Sequence, residues 1–325
     1  MIIGQDRAVE QFSSAWQLRK LHHAWLLAGA KGIGKATFAH AAARRVLAEA
    51  AGPRFDLPAL ETSGEHPIVK LVEAGSHPDM RRLERLVNDK GNLARNISVD
   101  QIRELGEFLS LTAALSPWRV VIIDTVDELE TSGANALLKI LEEPPPNTLF
   151  FLVSHAPGRL LPTIRSRCRR LDFAKLDSEA MTSILACHAP ELKQGERERI
   201  IAMSFGSAGR ALAFAELGLA KLEDAALTIL RQGDPTNARR SDLASDLGKK
   251  GSAERYAAFL ELAPSLIARE ARILHGGSRA RALDAYAKAR ELATIAPRLS
   301  LDPAATVFQI GGILADVPEP ASLKR

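Results

Sequence analysis

The stretch Ala24-Trp-Leu-Leu-Ala28-Gly29-Ala-Lys-Gly32-Ile-Gly34-Lys35-Ala36-Thr37 decides how this chain is read. Five apolar residues that run into glycines read as a buried strand, and a helical pattern continues from Lys35 to about Glu49. A strand that turns through glycines and a lysine into a helix is the pattern of a phosphate loop. Glycines let the backbone fold with its amides inward, the helix N-terminus adds its positive end, and Lys35 reaches toward the β- and γ-phosphates. The glycines at 29, 32 and 34 do not continue in the dinucleotide register, which excludes a dinucleotide fingerprint. One position departs from the pattern. The hydroxyl that should follow the lysine and hold Mg²⁺ is missing, because that residue is Ala36. Thr37 is also a candidate for nucleotide contact, but it points about 100° away around the helix and does not replace that hydroxyl. ATP binding is left open by this loop, and hydrolysis is not expected.

Working outward, Val120–Ile123 and Leu149–Val153 are two further apolar runs. Fully apolar strands separated by helices call for a parallel sheet covered on both faces, an α/β fold. Asp124 ends the first run as the Walker B carboxylate of such a site would, but Thr125 follows it where hydrolysing members carry a glutamate. Ser98-Val-Asp-Gln101 reads as a capping box, with Ile97 and Ile102 at the staple positions. Ala134, Leu137, Leu138 and Leu141 form one apolar helix face, which Pro144-Pro-Pro146 stops. Strand patterning ends around Leu171–Leu176. The remainder reads helical at Ser178–His188, Glu196–Phe205, Arg210–Leu230, Ala253–Arg269, Ala280–Ala296 and Pro303–Ala315, and Gly52–Ser76 reads as an irregular connection.

The 325 residues suffice for two or three domains, and 46% hydrophobic with 25% charged residues excludes a disordered, collagenous or disulfide-stapled chain. The balance of 43 basic and 39 acidic residues, a net +4, does not by itself argue for nucleic acid. Cys168 and Cys187 form neither a zinc ribbon nor a Cys-x-x-Cys pair, and two thiols fit a reducing compartment. The N-terminus shows no signal-peptide pattern and no run approaches the roughly 20 apolar residues of a membrane helix. The expectation is a cytoplasmic protein without a membrane partner.

Thr163-Ile-Arg165-Ser166-Arg167-Cys168-Arg169-Arg170 places four arginines within six residues. Three readings stand side by side: a solvated basic loop, a contact with nucleic-acid phosphates, or an arginine finger offered to the γ-phosphate of a neighbouring subunit's ATP.

Taken together, Gln5 after Ile-Ile-Gly, GAKGIGKAT at 29–37, His77-Pro-Asp79, VVIID at 120–124, NALLKILEEPP at 135–145 and Ser166-Arg167-Cys168 resemble the clamp-loader AAA+ proteins. Within them, the degenerate phosphate loop and the missing glutamate are most similar to the delta-prime subunits of the bacterial DNA polymerase III clamp loader. The resemblance covers residues 1–215 by motif. It implies an AAA+ P-loop core over 1–173, a helical lid over 174–211 and an all-helical collar over 212–325. It also implies a stator role in a hetero-pentameric ring with gamma/tau and delta subunits, which loads the sliding clamp on primed DNA. Arg167 would act in trans as the catalytic arginine finger, positioned by Ser166 and Cys168. Gly29, Gly32, Gly34, Lys35, Thr37, Asp124 and Ser154 (the sensor-one position) would face a weakly held, unhydrolysed ATP or ADP. Arg210 lies near the sensor-two position, shifted by one. Many relatives carry four cysteines ahead of the His-Pro-Asp segment as a zinc module; residues 46–80 contain none, so neither zinc nor another metal is expected. The competing readings are an ATP-hydrolysing, gamma/tau-like motor that tolerates Ala36 and Thr125, and a standalone nucleic-acid-binding module.

Overall fold

The computed structural model describes residues 2–87 and 93–318, in two compact units: Met1–Pro190 with Ser204–Arg210, and Glu191–Met203 with Ala211–Arg325. The first unit contains α1 (Asp6–Gln17), β1 (Ala24–Ala28), α2 (Lys35–Ala51), α3 (Pro67–Glu73), β2 (Met80–Leu83), α4 (Val99–Ser110), β3 (Arg119–Asp124), α5 (Thr131–Glu142), β4 (Thr148–Ser154), α6 (Pro162–Ser166), β5 (Arg169–Asp172) and α7 (Ser178–His188). The strands form one sheet in the order β2-β3-β4-β1-β5, and every neighbouring pair is parallel. This order is neither that of the dinucleotide fold nor that of the flavodoxin-like fold. It is an α/β core of the kind the AAA+ resemblance implies.

Alternation along the strands divides the core into two layers. Trp25 and Leu27 of β1, Val120 and Ile122 of β3, and Phe151 and Val153 of β4 face one side, against Phe12 of α1, Phe38 and Leu47 of α2 and Val69 of α3. Leu26, Val121, Ile123, Phe150 and Leu152 face the other, against Ile102 and Leu105 of α4, Leu137 and Leu141 of α5 and Ile164 of α6. Phe12 sits at the centre of the first layer, 5.2 Å from the Trp25 ring and 5.4 Å from Phe151. The capping box forms as expected: Gln101 N donates to Ser98 Oγ at 3.3 Å, and Ser98 N to Gln101 Oε1 at 3.1 Å.

Several local expectations are corrected. Of the readings left open for the Arg165–Arg170 cluster, the loop does not describe its backbone, since its first part closes α6 and Arg169 and Arg170 enter β5. The Gly52–Ser76 segment contains α3, and its irregular start is organised by one buried guanidinium. Arg45 pairs with Glu49 at 2.6 Å and donates to the carbonyls of Phe55, Leu57 and Glu61 at 3.0, 3.1 and 2.6 Å.

Helices α8 (Gln194–Ser204), α9 (Ala208–Glu216), α10 (Leu219–Gln232), α11 (Ala238–Leu247), α12 (Ala253–Ala271), α13 (Gly276–Arg298) and α14 (Pro303–Ala315) follow, and no strand occurs among the described residues of the second unit. The single helix expected over Arg210–Leu230 is broken at Gly218, whose φ of 63° is left-handed and caps α10 instead of continuing α9. In the second unit α12 packs along α13, and α11 along α14. Two acids are buried there with arginine partners, Glu223 with Arg269 at 2.9 Å and Glu270 with Arg231 at 2.6 Å. No helix among the described residues is long and apolar enough to cross a membrane.

His77-Pro-Asp79 serves the fold. Asp79 is buried ahead of β2, and its carboxylate accepts from the amides of Ala114, Leu115 and Ser116 at 2.6, 2.7 and 2.8 Å, clamping the connection that leads into β3. Burial alone would raise the Asp79 pKa. The amides of Ala114, Ser116 and Leu115, with His77 nearby, outweigh it and hold the group below its ordinary value. A depressed carboxyl stabilises the fold above the unfolded-state pKa and loses that contribution as pH falls through the folded-state one. Asp79→Asn is expected to lower the unfolding free energy by about 2 kcal/mol at pH 7. In denaturant melts the gap between wild type and variant should close as pH falls below the ordinary aspartate range; a gap independent of pH would contradict the clamp.

Candidate nucleotide site and arginine segment

Strand register builds the site. Ala28 pairs with Ser154, and Asp124 with Val153, so the carboxyl ends of β1, β3 and β4 finish in line. That edge is where open parallel sheets bind ligands. The loop after β1 is shaped by its glycines. Gly29 donates to the Ser154 carbonyl at 3.3 Å. Gly32, at φ 76°, lies so close to the 204–210 segment that a Cβ would stand 2.4 Å from Ser207 Oγ. Gly34, at φ 98°, caps α2 and faces open space. The leading amides of α2 have no partner within the helix, and amides at a helix N-terminus are the donors that an anion such as phosphate takes.

The side chains tell a different story. Lys35 is 3% exposed and turned back onto its own loop, where Nζ donates to the carbonyls of Gly29 at 2.7 Å and Ala30 at 2.5 Å. Burial pushes its ammonium down from 10.5 to about 8, against the opposing pull of Asp127 and Asp124. Asp124 does not stand open for a metal: Arg82 of β2 donates to its Oδ2 at 3.0 Å and also pairs with Glu84 at 2.8 Å. Ala36 supplies no hydroxyl, and Thr37 is exposed on α2. The residues present therefore do not fit a Mg²⁺ ion, because one ligand is missing and the other is already neutralised by a guanidinium.

Ser154 is fully buried at the end of β4, and its Oγ donates to Asp127 Oδ1 at 2.7 Å. Asp127 also accepts from the amides of His155 at 2.5 Å and Ala156 at 3.4 Å. Sequence reasoning missed this carboxylate, which lies in a 3-10 turn over Val126–Glu128. The signal was an acid three residues beyond a strand-ending acid. His155, beside it, is held below its ordinary pKa first by burial and then by Lys35, with Asp127 and Asp124 opposing. A second missed feature is the tether from the 204–210 segment. Ser207 Oγ donates to the Lys31 carbonyl at 3.0 Å, and Gly209 N to that of Gly32 at 2.8 Å. Arg210 lies over the Phe205 ring with its guanidinium carbon 5.9 Å from the ring centre.

The arginine segment separates into four different environments. Arg165 is exposed on α6, Arg169 lies 4.9 Å over the Trp25 ring, and Arg170 pairs with Asp172 at 2.6 Å. Arg167, at the end of α6, donates through Nη1 to the Thr163 carbonyl at 3.0 Å and through Nη2 to Glu142 Oε1 at 2.5 Å. On its two sides, Ser166 Oγ donates to the same Thr163 carbonyl at 3.0 Å, and Cys168 packs against the core.

The depressed Lys35 supports a pH test. A cation whose folded-state pKa lies below the unfolded one destabilises the fold at pH below about 8, and the penalty lifts as pH rises toward 10.5. Relative to Lys35→Met, wild type is expected to gain about 2 kcal/mol of stability between pH 7.5 and 10. Urea melts at both pH values measure this, and a constant difference would contradict the inward, desolvated placement.

Comparison with known proteins shows the family. Residues 4–177 match the family described as DNA polymerase III, delta subunit. The DNA polymerase III subunit delta' of Pseudomonas aeruginosa is 37% identical over 185 residues, 57% of this chain and 53% of that protein. That of Escherichia coli is 33% identical over 204 residues, 63% and 58% of the two chains. DNA polymerase III subunit tau of Bacillus subtilis is 30% identical over 236 residues, 70% of this chain and 39% of that protein. The chain thus spans between 39% and 58% of the length of these three relatives. The family match takes in more than half of the chain, which belongs to the DNA polymerase III delta-subunit family, in its delta-prime group.

Proposed function

We propose that this chain is a non-hydrolysing stator of a cytoplasmic DNA polymerase III clamp loader. In a hetero-pentameric ring it would support gamma/tau and delta subunits while the sliding clamp is loaded on primed DNA, and Arg167 would complete the ATP site of an adjacent gamma/tau subunit. The core, lid and collar over 1–173, 174–211 and 212–325 belong to the same proposal. The observation that supports it is the Arg82–Asp124 ion pair, which, with Ala36 in place of a hydroxyl residue, engages the carboxylate that a metal in phosphoryl transfer would use. The chain's own nucleotide site then holds ATP or ADP weakly or not at all, through the amides around Gly29, Gly32 and Gly34, with Lys35 released from its loop carbonyls. The dispersal of the four arginines weighs against the standalone nucleic-acid reading, since Arg169 and Arg170 already have partners in and around β5.

The electrostatic contribution of an arginine finger is worth roughly 10³–10⁵ in rate at a single site in other phosphoryl-transfer systems. Arg167→Ala, mixed with the cognate gamma/tau and delta subunits, is expected to enter the complex normally and to lower clamp- and DNA-stimulated ATP hydrolysis severalfold. Unchanged hydrolysis would reject the finger, and failure of the wild-type chain to enter the complex would reject the stator. Phosphate release by the isolated chain that Lys35→Ala abolishes would favour the motor reading instead.

A further inference from the structure

We infer, building on the reading of Arg167 as a finger acting in trans, that Glu142 is its positioning residue. The carboxylate at the end of α5 would hold the guanidinium in its reactive orientation before the neighbour's ATP arrives.

The placement of Glu142 is unusual on electrostatic grounds. The C-terminal turn of a helix carries partial negative charge and favours cations, yet α5 closes on Glu142 and Glu143. Lys139 is the only basic residue in that last turn. An acid set against the helix dipole needs a partner, and here the partner is Arg167, 25 residues further on, at 2.5 Å. The anchor is firm because Pro144, Pro145 and Pro146 end α5 immediately behind it, restricting the backbone that follows. The other half of the clamp is equally well seated. Pro162 opens α6, the buried Ile164 fixes it to the core, and the Thr163 carbonyl receives both Ser166 Oγ and Arg167 Nη1.

Two tethers on different elements define the plane of the guanidinium, which a single ion pair would leave free to rotate. A guanidinium has five N–H donors, and these two contacts use two of them, so three remain for phosphate oxygens. Stability is not the purpose of the pair. The side chains of Arg167 and Glu142 are 33% and 48% exposed, and pairs this open to water add little to folding. The useful effect is that a long, rotamer-rich side chain is ordered in advance, which lowers the cost of aligning it at the moment of reaction.

The test uses the assembled loader with cognate gamma/tau and delta subunits, clamp and primed DNA. Glu142→Gln is expected to lower kcat for stimulated ATP hydrolysis roughly threefold to tenfold, leaving the KM for ATP, complex assembly and the melting temperature of the chain unchanged. Glu142→Asp, which keeps the charge but is one methylene shorter, should recover part of the rate. In an Arg167→Ala background the Glu142→Gln change should have no further effect. If Arg167→Ala lowers hydrolysis but Glu142→Gln does not, the positioning role is overturned and the finger survives. If Glu142→Gln slows hydrolysis equally in both backgrounds, or speeds it, the role is also overturned. If Arg167→Ala itself changes nothing, finger and positioning fall together.

Discussion

Every side chain of Ala24–Ala28 is buried, so the peptide groups of this strand have no access to water and must be paired within the sheet. Parallel pairing with Thr148–Ser154 on one side and Arg169–Asp172 on the other does this, and the register it imposes places everything else. It brings the phosphate-loop glycines beside Ser154, sets Asp124 one strand further across, and carries Arg167 on the short connection that must return the chain across β1 to its far side. A slip by one residue would turn Trp25 and Phe151 out of one layer and into the other.

The charges at that edge are arranged around internal partners. Lys35 satisfies carbonyls of its own loop, Arg82 neutralises the acid that a metal would need, and Asp127 collects the hydroxyl and amides at the end of β4. In a motor, the energy of metal and phosphate binding would have to displace such contacts; in a stator, their persistence is an advantage. Arg167 differs from Lys35 in that it is partly exposed, and its two anchors use two of its five N–H donors.

The central strands were legible because both their faces are buried, which forces unbroken apolar runs such as Val120–Ile123 and Leu149–Val153. The edge strands were not. Met80-Arg-Arg-Leu83 and Arg169-Arg-Leu-Asp172 lie at the two ends of the strand order, where one flank is open and arginines are tolerated or even protective. For that reason Arg169 and Arg170 carry no strand signal in the sequence. Caps and breakers were local enough to read, as Ser98-Gln101 shows, whereas Gly218 breaks a helix whose apolar pattern runs through it. In the site, the defects at Ala36 and Thr125 stood in the sequence, but the Arg82–Asp124 pair spans 42 residues and the Arg167–Glu142 pair 25. No periodicity links residues so far apart; only the sheet order does.

Cys168, next to Arg167, has a consequence of a different kind. Burial pushes its thiol up to about 12, so at neutral pH it is almost never the thiolate that oxidants, alkylating reagents and disulfide partners attack. The sulfur that anchors the arginine segment is thereby a weak nucleophile. Cys187, exposed on α7, is the other cysteine in the chain. Of the two thiols Cys187 is the more accessible, and a fluorophore or spin label attached there would follow the chain in an assembly from a site outside the arginine segment.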